Sequence, residues 1–313
     1  MKSKKRIAVL GAGELAESLR AEFAPRSDII LTTDEPAAVV AAADRGDVDE
    51  AALCNPDAPL AAQLELADEL LRRGVGVMLL RPSVPHGIDG LGLVRSRLGG
   101  RPLVFLPARP VRHRLSPGKR LFDMLFSAGV LGVGFLPCCL IALLVKLQDR
   151  GPVFFVQDRV GPGGRTFRFI KFRTMWPDAD AHRGWYEARH GKDGHLFKLK
   201  HDPRRTPLGR LLRRFSLDEI PQFLHALSGR MSVVGPRPPL PSEAEQYAPW
   251  QRMRLSGWFG LTGLWQVCGR SEIRELDDIV LLDALYLHNH GPLLDLRIIL
   301  RTMRVVLTRR GAY

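Results

Sequence analysis

Cysteine is scarce in this sequence, which has four cysteines among 313 residues and no Cys-x-x-Cys pair. Cys138 and Cys139 stand side by side in an apolar run, where buried thiols are expected. This usage suits buried thiols better than a disulfide framework or a zinc site, and it predicts a reducing compartment. The first residues, MKSKKRIAVLGAG, have a basic start and a short apolar run before two glycines, so we expect no secretory signal there.

Familiar catalytic signatures are also absent. The sequence contains no His-Glu-x-x-His, no P-loop, no Gly-x-Ser-x-Gly and no zinc-finger spacing, so serine hydrolases and zinc enzymes have no support. Hydrophobic residues make up 45% of the chain and charged residues 25%, which excludes a disordered basic tail.

Positive charge is abundant but unevenly distributed. The formal net charge is +13, yet residues 1–110 carry 14 basic and 15 acidic side chains, whereas residues 111–313 carry 32 and 18. The second part should therefore bind an anionic partner, which is nucleic acid, an acidic membrane surface or a phosphorylated substrate. Nucleic acid is disfavoured because no known reading motif accompanies the basic residues. A non-enzymatic basic membrane adaptor remains an alternative.

The first 82 residues alternate between strand-like and helix-like segments. Strands are predicted at Ile7–Leu10, Asp28–Thr32, Glu50–Cys54 and Val75–Leu80, with helical stretches such as Leu60–Arg73 between them. This rhythm predicts a parallel sheet with flanking helices, a small truncated Rossmann-like domain at 1–82. The segment 83–116 is rich in Pro, Gly and Arg and is predicted to be a linker with one short strand at Leu103–Leu106.

The loop after the first predicted strand reads GAGELA, with Gly11 and Gly13 in a Gly-x-Gly-x-x-Ala variant of the dinucleotide-binding fingerprint. Glycines let a phosphate approach the backbone, and a helix N-terminus attracts it. The domain is only about half of a full dinucleotide fold, and Asp34 is a loose match for the ribose-binding acid. A sheet domain without a nucleotide is therefore the favoured interpretation.

A run of 22 uncharged residues, Met124–Val145, is long enough to cross a bilayer as a helix. Pro137 lies inside it, where proline kinks or breaks a helix. Both flanks are basic, with Lys119 and Arg120 before the run and Lys146 and Arg150 after it. Because positive flanks stay cytoplasmic, we predict a re-entrant membrane helix over 117–149 that turns back at Pro137. A kinked full span is the alternative.

The C-terminal segment LLDLRIILRTMRVVLTRR places Arg297, Arg301 and Arg304 at helical spacing beside apolar residues. Such a helix either lies in the headgroup plane of a membrane or packs on the protein core, and both interpretations stay open.

Adjacent Asp218 and Glu219 form a candidate acid pair in FSLDEIPQ. Taken alone, Ser216–Glu219 matches the Ser-x-x-Glu capping box, which merely starts a helix. Arg237 lies between prolines in GPRPP, which suits bidentate phosphate recognition. Arg210, Arg213 and Arg214 precede the acid pair and form either salt bridges or part of a diphosphate site.

A second, weaker acidic motif is the D-x-D of Asp178 and Asp180. Metal-dependent glycosyltransferases use this pattern to hold a divalent ion, so such an enzyme is the alternative activity. Acids in the first turn of a helix explain the pattern equally well.

Taken together, the sequence resembles the bacterial sugar transferase family, monotopic polyprenyl-phosphate phosphoglycosyl transferases that start the assembly of surface glycans. The resemblance runs from about Ser116 to Tyr313. In order, its motifs are KRLFD at 119–123, the Pro137 break, RGPVFFVQDRVGPGG at 150–164, FIKFRTM at 169–175, TPLGRLLRRFSLDEIPQ at 206–222, MSVVGPRPPL at 231–240 and LTGLWQVCGR at 261–270. Their shared order is specific, and it outweighs the capping-box interpretation of the acid pair.

The resemblance implies an α/β chain in which a compact, mostly helical α+β catalytic domain with interfacial amphipathic helices, at 150–313, follows the membrane helix. Asp218 would attack the β-phosphate of a UDP-sugar, release UMP and carry the sugar phosphate to polyprenyl (undecaprenyl) phosphate, in exopolysaccharide or lipopolysaccharide synthesis. Glu219 would assist, and Mg²⁺ would bind to Asp218 and Glu219.

The resemblance also implies which residues bind the substrate phosphates and where the protein lies. The matching basic residues are Arg213, Arg237, Lys171, Arg173 and Arg270, while Gln157 and Arg159 match motif positions of less defined role. The expected location is the bacterial inner membrane, with the catalytic domain facing the cytoplasm. The expected partners are the UDP-sugar, polyprenyl phosphate and membrane lipid, without nucleic acid, and a homodimer is an open option. The family's larger members carry membrane spans before the catalytic part, so the role of the N-terminal domain does not follow from the resemblance.

Overall fold

The computed structural model describes residues 4–82, 84, 87–111, 114–179, 202–269, 273 and 275–308. The chain divides into two compact units, and each unit combines segments that are far apart in the sequence. The first unit combines Met1–Val111 with Tyr247–Arg254 and Val280–Leu294. The second combines Arg112–Gln246, Leu255–Ile279 and Asp295–Tyr313.

The first unit contains a six-stranded sheet with helices between its first strands. The elements are β1 (Lys5–Leu10), α1 (Glu14–Phe23), β2 (Ser27–Thr33), α2 (Pro36–Asp44), β3 (Glu50–Leu53), α3 (Leu60–Arg72), β4 (Gly76–Leu80), β5 (Val94–Leu98) and β6 (Arg101–Leu106). The strand order is β2-β1-β3-β4-β6-β5, with β1 to β4 parallel and β6 antiparallel to both neighbours. The predicted alternation of strands and helices is confirmed. The short strand predicted at Leu103–Leu106 is confirmed as part of β6, whereas β5 was not predicted and extends the sheet from within the predicted linker.

The glycine loop after β1 has a packing role within this sheet. Gly11 and Gly13 both have positive φ, 129° and 78°, which disfavours other residues. A Cβ on Gly11 would lie 3.2 Å from backbone atoms of Cys54, and Gly11 N donates to Thr33 O at 2.9 Å. The ends of β1, β2 and β3 approach one another closely at Gly11. This packing explains why glycine occupies the position, and no nucleotide is needed for that explanation.

The second unit is mostly helical. Its elements are α4 (Pro117–Asp149), the hairpin strands β7 (Phe154–Val160) and β8 (Thr166–Phe172), α5 (Pro207–Arg214), a 3-10 helix (Leu217–Gln222), α6 (Phe223–Leu227), β9 (Ser232–Val234), α7 (Pro241–Glu245), β10 (Gly260–Thr262) and α8 (Leu264–Cys268). The strands β9 and β10 pair in parallel. Two further helices, α9 (Leu276–Asn289) and α10 (Pro292–Thr308), each contribute residues to both units.

Helix α4 contains the long apolar run. It begins at Pro117 behind Ser116, whose hydroxyl accepts a hydrogen bond from Lys119 N at 3.3 Å. Contrary to the predicted break, the helix is not interrupted at Pro137 and continues to Asp149. Within the described ranges it is the one helix that is long and apolar enough to cross a membrane, and most of its apolar stretch is exposed. Val133, for example, is 86% exposed.

Both ends of α4 are attached to the second unit. Near its start, Lys119 pairs with Asp295 at 2.6 Å and Asp123 accepts a hydrogen bond from Val233 N at 3.2 Å. Near its end, Ile141 and Val145 pack with Phe172 and Leu212 in a buried cluster. The two ends of this helix are therefore held by a single unit of the protein.

Helix α10 exposes an apolar stripe. Ile298 and Ile299 are buried on its inner side, whereas its outer side presents a leucine-rich row at heptad-like spacing. The members of this exposed row are Leu293, Leu296, Leu300, Met303 and Leu307.

Candidate functional site

The acid pair lies in the 3-10 helix Leu217–Gln222, directly after α5. The local capping-box interpretation is wrong, because Ser216 adopts a left-handed conformation, with φ of 53°, and its side chain caps nothing. Such a conformation is uncommon for a residue other than glycine and costs about 1 kcal/mol or more. The turn at Ser216 separates α5 from the 3-10 helix and puts Asp218 and Glu219 in the first turn of the latter.

Asp218 is a desolvated carboxyl group. Its side chain is 6% exposed, and burial raises its pKa to about 6, with the neighbouring charge of Glu219 acting in the same direction. The positive charges of Lys171 and Arg213 act against this rise. Glu219 is half-buried and forms an ion pair with Arg237, with 3.5 Å between Oε1 and Nη1. The two adjacent carboxyl groups therefore have different environments.

Lys171 approaches this acid pair from strand β8. Its ammonium group lies 5.0 Å from the centre of the Phe155 ring on the paired strand, a favourable cation–π contact. Burial lowers the pKa of Lys171 to about 8, and the positive charges of Arg213 and Arg237 contribute to the shift, while Asp218 and Glu219 oppose it. Lys171 is thus a cation at neutral pH that loses its proton more easily than an exposed lysine.

Arg213 is positioned by the close packing of α5 on the segment after β8. Thr206 caps α5 by accepting a hydrogen bond from Gly209 N at 2.8 Å. A Cβ on Gly209 would lie 2.0 Å from Thr174 O, so only glycine permits this approach. Arg213 Nε donates to Thr174 Oγ1 at 2.8 Å, and burial lowers the pKa of the guanidinium.

The loop that carries Arg237 is built on β9 and β10. Gly235 N donates to Thr262 O and Gly260 N donates to Pro236 O, each at 2.8 Å. A Cβ on Gly260 would lie 2.0 Å from Gly235 N, so the glycines allow the two backbones to touch. The start of the GPRPP loop is thereby held firmly.

The hairpin holds the other end of the same loop. Arg159 Nη1 donates to Pro238 O and Val160 N donates to Pro239 O, each at 3.0 Å. Arg159 is itself oriented by Gln157, whose Oε1 accepts from Nη2 at 3.0 Å. Arg159 and Gln157 therefore position the loop of Arg237, a role that their place in the sequence did not reveal.

Not every predicted residue joins this cluster. The guanidinium of Arg173 is buried and bound by both carboxylate oxygens of Asp149 and by Pro152 O, so it closes the end of α4. The predicted phosphate contact of Arg173 would require these bonds to break. Arg270 lies outside the described residues. In the alternative D-x-D motif, Asp178 is exposed, and Asp180 lies outside the described residues.

Two residues near the site were missed in the sequence. Arg205 is half-buried, and its pKa is lowered by burial and by the charge of Arg213, while Asp202 and Asp218 raise it. His225, in α6, accepts a hydrogen bond from Ile170 N at 3.2 Å through Nε2 and stacks on Phe169. It ties the turn after the acid pair to the strand of Lys171. For Arg205, the signal available in the sequence was the Arg-Arg pair just before Thr206, the residue that caps α5.

Asp218 and Glu219 can provide part of a coordination shell for Mg²⁺. Magnesium in phosphoryl-transfer sites takes one or two carboxylates and completes its shell with phosphate oxygens and water. Asp218 and Glu219 offer two adjacent carboxylates, and within the described part of the chain no three His, Cys, Asp or Glu residues cluster as a self-sufficient metal site. A metal held here would complete its shell with oxygens from a substrate or from water.

The cluster combines a buried carboxyl group with several cations. A carboxylate in such a place is a candidate nucleophile, and the surrounding cations can offset the charge of phosphate groups. The arrangement suits chemistry on a phosphate ester or anhydride.

Comparison with known proteins points to the same chemistry. A family model described as bacterial sugar transferase matches residues 114–309. Galactosyl transferase CpsE of Streptococcus agalactiae serotype III (strain NEM316) is 44% identical over 183 residues, which cover 58% of this chain and 41% of that protein. Exopolysaccharide production protein ExoY of Rhizobium meliloti (strain 1021) is 38% identical over 208 residues, 62% of this chain and 88% of that protein.

One relative also covers the N-terminal sheet. The undecaprenyl-phosphate glucose phosphotransferase of Komagataeibacter xylinus is 31% identical over an alignment 338 positions long, gaps included, which covers 99% of this chain and 60% of that protein. The chain thus spans 41% to 88% of the length of these three relatives.

Proposed function

Because this chain belongs to the bacterial sugar transferase family, we propose that it transfers a sugar phosphate from a UDP-sugar to polyprenyl phosphate. The observation that carries the proposal is the buried Asp218, beside Lys171 and Arg213 and next to the Glu219–Arg237 ion pair. The name of the Komagataeibacter xylinus relative, with undecaprenyl phosphate as acceptor and glucose as the sugar, supports it.

The reaction proceeds in two displacements. A carboxylate oxygen of Asp218 attacks the β-phosphorus of the UDP-sugar, and the bond from this phosphorus to the bridging oxygen breaks, so that UMP leaves. A phosphate oxygen of the polyprenyl phosphate then attacks the same phosphorus and displaces the carboxylate of Asp218. The product is a polyprenyl diphosphate sugar, and the enzyme returns to its starting state.

The other residues of the cluster bind and neutralise phosphate. Lys171, Arg213 and Arg237 would offset the charge of the donor diphosphate in a partly water-excluded site. Glu219 keeps Arg237 close to the acid pair through its ion pair. When bound, Mg²⁺ would be held by Asp218 and Glu219 and would supply further charge neutralisation at the diphosphate.

We propose that α4 anchors the enzyme to the membrane with both of its ends on the cytoplasmic side, which requires a bend at Pro137 within the continuous helix. A bilayer core is about 30 Å thick, so a spanning helix separates its ends by the whole membrane. Both ends of α4 are instead bonded to or packed on the second unit, at Asp295 and Val233 for one end and at Phe172 and Leu212 for the other. This supports a helix whose two ends lie on the same side.

Labelling of single cysteines tests this topology. After the native cysteines are replaced by serine, cysteines at Gly118 and at Arg150 should both react with an impermeant maleimide in inside-out vesicles and neither in intact spheroplasts. Reaction from opposite sides would establish a spanning helix instead.

The transfer reaction is tested by release of UMP from a panel of UDP-sugars, with and without polyprenyl phosphate. Without acceptor, one donor should leave a sugar phosphate on Asp218, detectable by mass spectrometry of the intact protein. Asp218→Asn should abolish both the adduct and the turnover. If no donor yields UMP, or if Asp218→Asn retains activity, the proposal fails.

A further inference from the structure

Helix α10 is bonded to strand β10 by two threonine hydroxyls. Thr302 Oγ1 and Thr262 Oγ1 lie 2.6 Å apart. Thr302 Oγ1 also donates to Ile298 O, one helical turn earlier, at 2.8 Å. Because a hydroxyl has a single hydrogen, Thr302 accepts the bond between the two threonines and Thr262 donates it. Thr262 is 7% exposed, so the donor of this bond is shielded from water.

Thr262 also lies where β10 meets the start of the GPRPP loop. Gly235 N donates to Thr262 O at 2.8 Å. On the other side of the same contact, a Cβ on Gly263 would lie 2.3 Å from Gly235 O. The two backbones are therefore in direct contact, and a shift of Thr262 moves the start of the loop with it.

Strand β10 gains little stability from its own sheet. It is three residues long and pairs with β9 in a two-stranded sheet. A two-stranded ladder is marginal by itself. The bond from Thr262 to α10 is an attachment to a helix outside this sheet, and it holds the residue that contacts the loop.

The orientation of Arg237 depends on how the GPRPP loop is held. Arg237 lies between Pro236 and Pro238, whose rings restrict the backbone on both sides of it. The hairpin β7–β8 holds the far end of the loop at Pro238 O, and β10 holds the near end at Gly235. The direction in which Arg237 leaves the loop is therefore set by these two attachments.

We propose that Thr302 is a positioning residue for Arg237. It fixes Thr262 and, through Thr262, the near end of the GPRPP loop, so that Arg237 meets the donor diphosphate in a constant orientation. The inference rests on the proposed function, because it takes Arg237 as a ligand of the donor. Since Thr302 acts through a residue that binds the donor, its loss should raise KM more than it lowers kcat.

Binding of UDP to the full chain in nanodiscs tests this role without turnover. Thr302→Val removes the hydroxyl at nearly constant volume and should raise the Kd of UDP about fivefold. KM for the sugar donor should rise by a similar factor, while kcat changes less than about twofold. Thr302→Ser keeps the hydroxyl and should restore most of the affinity.

The matched control is Thr308→Val on the same helix. Thr308 Oγ1 donates to Arg304 O, one turn earlier, at 2.8 Å, as Thr302 does to its own turn, but Thr308 is exposed at the end of α10. Thr308→Val therefore loses the same bond within the helix without touching β10, and it should bind UDP like wild type.

A double-mutant cycle with Arg237→Gln separates positioning from a general structural effect. If Thr302 acts through Arg237, adding Thr302→Val to Arg237→Gln should raise the Kd of UDP less than about 1.5-fold further. An undiminished loss in that background rejects the assignment. A lower melting temperature of Thr302→Val with unchanged UDP affinity rejects it as well, since it indicates a structural role alone.

Failure of the positioning role and failure of the proposed function give different results. If wild type turns over a UDP-sugar but Thr302→Val binds UDP as tightly as wild type, the positioning role is wrong and the function stands. If the cycle shows coupling while wild type turns over no UDP-sugar, Thr302 is confirmed as a positioning residue for a nucleotide-binding Arg237, and the transfer reaction fails. Wild-type protein that neither binds UDP nor turns over a UDP-sugar would overturn both.

Discussion

At the scale of single residues, Asp218 is governed by opposing electrostatic effects. Burial and the neighbouring Glu219 favour its protonated form, whereas Lys171 and Arg213 favour the carboxylate, and the net result is a pKa of about 6. Lys171 shows the converse, with a pKa lowered to about 8. An ionised Asp218 and a protonated Lys171 coexist mainly between these two values.

We therefore expect the first displacement of the proposed reaction to have a bell-shaped pH dependence. UMP release in a single turnover should rise as pH increases through about 6, when Asp218 ionises, and fall above about 8, when Lys171 loses its proton. Rapid-quench measurements between pH 5 and pH 9.5 provide the profile. A rate that is constant across this range would contradict the assignment.

Replacement of Lys171 is expected to change both sides of that profile. In Lys171→Met the alkaline decline should disappear, and the acid limb should move to higher pH because a charge that lowers the pKa of Asp218 is gone. The measurement is the same rapid-quench profile. The exposed Arg168→Met serves as the control and should leave both limbs where they are.

Asp218 should also reduce stability at neutral pH. Its folded-state pKa of about 6 exceeds the ordinary value of 3.8, so between these values the native state holds a proton that the unfolded chain has released. Stability from this group is thus present at low pH and is lost as pH rises through about 6. Asp218→Asn should be more stable than wild type at pH 8, by on the order of 3 kcal/mol, with little difference at pH 3.5. Urea denaturation at both pH values measures the free energy of unfolding of the two proteins. An equal difference between wild type and Asp218→Asn at pH 3.5 and at pH 8 would contradict the expectation.

At the scale of elements, helices α4 and α10 both expose apolar residues. The Lys119–Asp295 ion pair links the start of α4 to the start of α10. The exposed row on α10 is accompanied by Arg297 and Arg304 on the exposed surface of the same helix. A helix with this distribution suits the headgroup region of an anionic membrane, next to the proposed membrane anchor α4.

We expect α10 to contribute to membrane binding. Leu300→Asp and Leu307→Asp together place two charges in the exposed row, which should weaken binding of the full chain to vesicles that contain anionic lipid. Vesicle flotation after an alkaline or high-salt wash measures the bound fraction, which should fall severalfold. Ile30→Asp, at an exposed apolar position of β2, is the control. Equal flotation of all three proteins would contradict a contribution of α10 to membrane binding beyond that of α4.

At the scale of the whole molecule, the first unit contains two late segments of the chain. His288 Nδ1 and Pro107 O lie 3.0 Å apart, and Asn289 Nδ2 donates to Phe105 O at 2.8 Å. In the same unit, Arg254 Nε donates to Asp283 Oδ2 at 2.9 Å, which joins the two late segments to each other. The predicted division into an N-terminal domain at 1–82 and a catalytic domain at 150–313 does not describe this arrangement.

Deletion of residues 1–111 should therefore destabilise the remaining chain. Helix α9 carries Val280, Leu282 and Leu285, all with 0% exposure, and the deletion removes part of the unit to which they belong. We expect the shortened protein to aggregate or to melt at least about 10 °C lower than the full chain. Thermal denaturation in detergent measures this, and Ile30→Asp in the full chain should melt like wild type. An unchanged melting temperature after the deletion would contradict the expectation.

The sequence by itself determined what depends on local patterns. Periodic apolar residues located the strands β1 to β4, the charge-free run located α4, and the ordered motifs from 119 to 270 identified the family. Local patterns misled where a longer-range contact decides. Ser216–Glu219 matched a capping box, yet Ser216 turns the chain instead, and a proline did not interrupt α4.

Only the tertiary structure decided how the charged residues are used. Arg173 is bound by Asp149 rather than by the cluster, Arg205 joins the cluster without matching any predicted motif, and Asp218 acquires its raised pKa. Desolvation and ion pairing depend on which groups come within a few ångströms, and here Lys171 reaches Asp218, and Asp149 reaches Arg173, across tens of residues of chain. No spacing within one motif encodes such distances, so the chemistry of the site emerges only when the chain is folded.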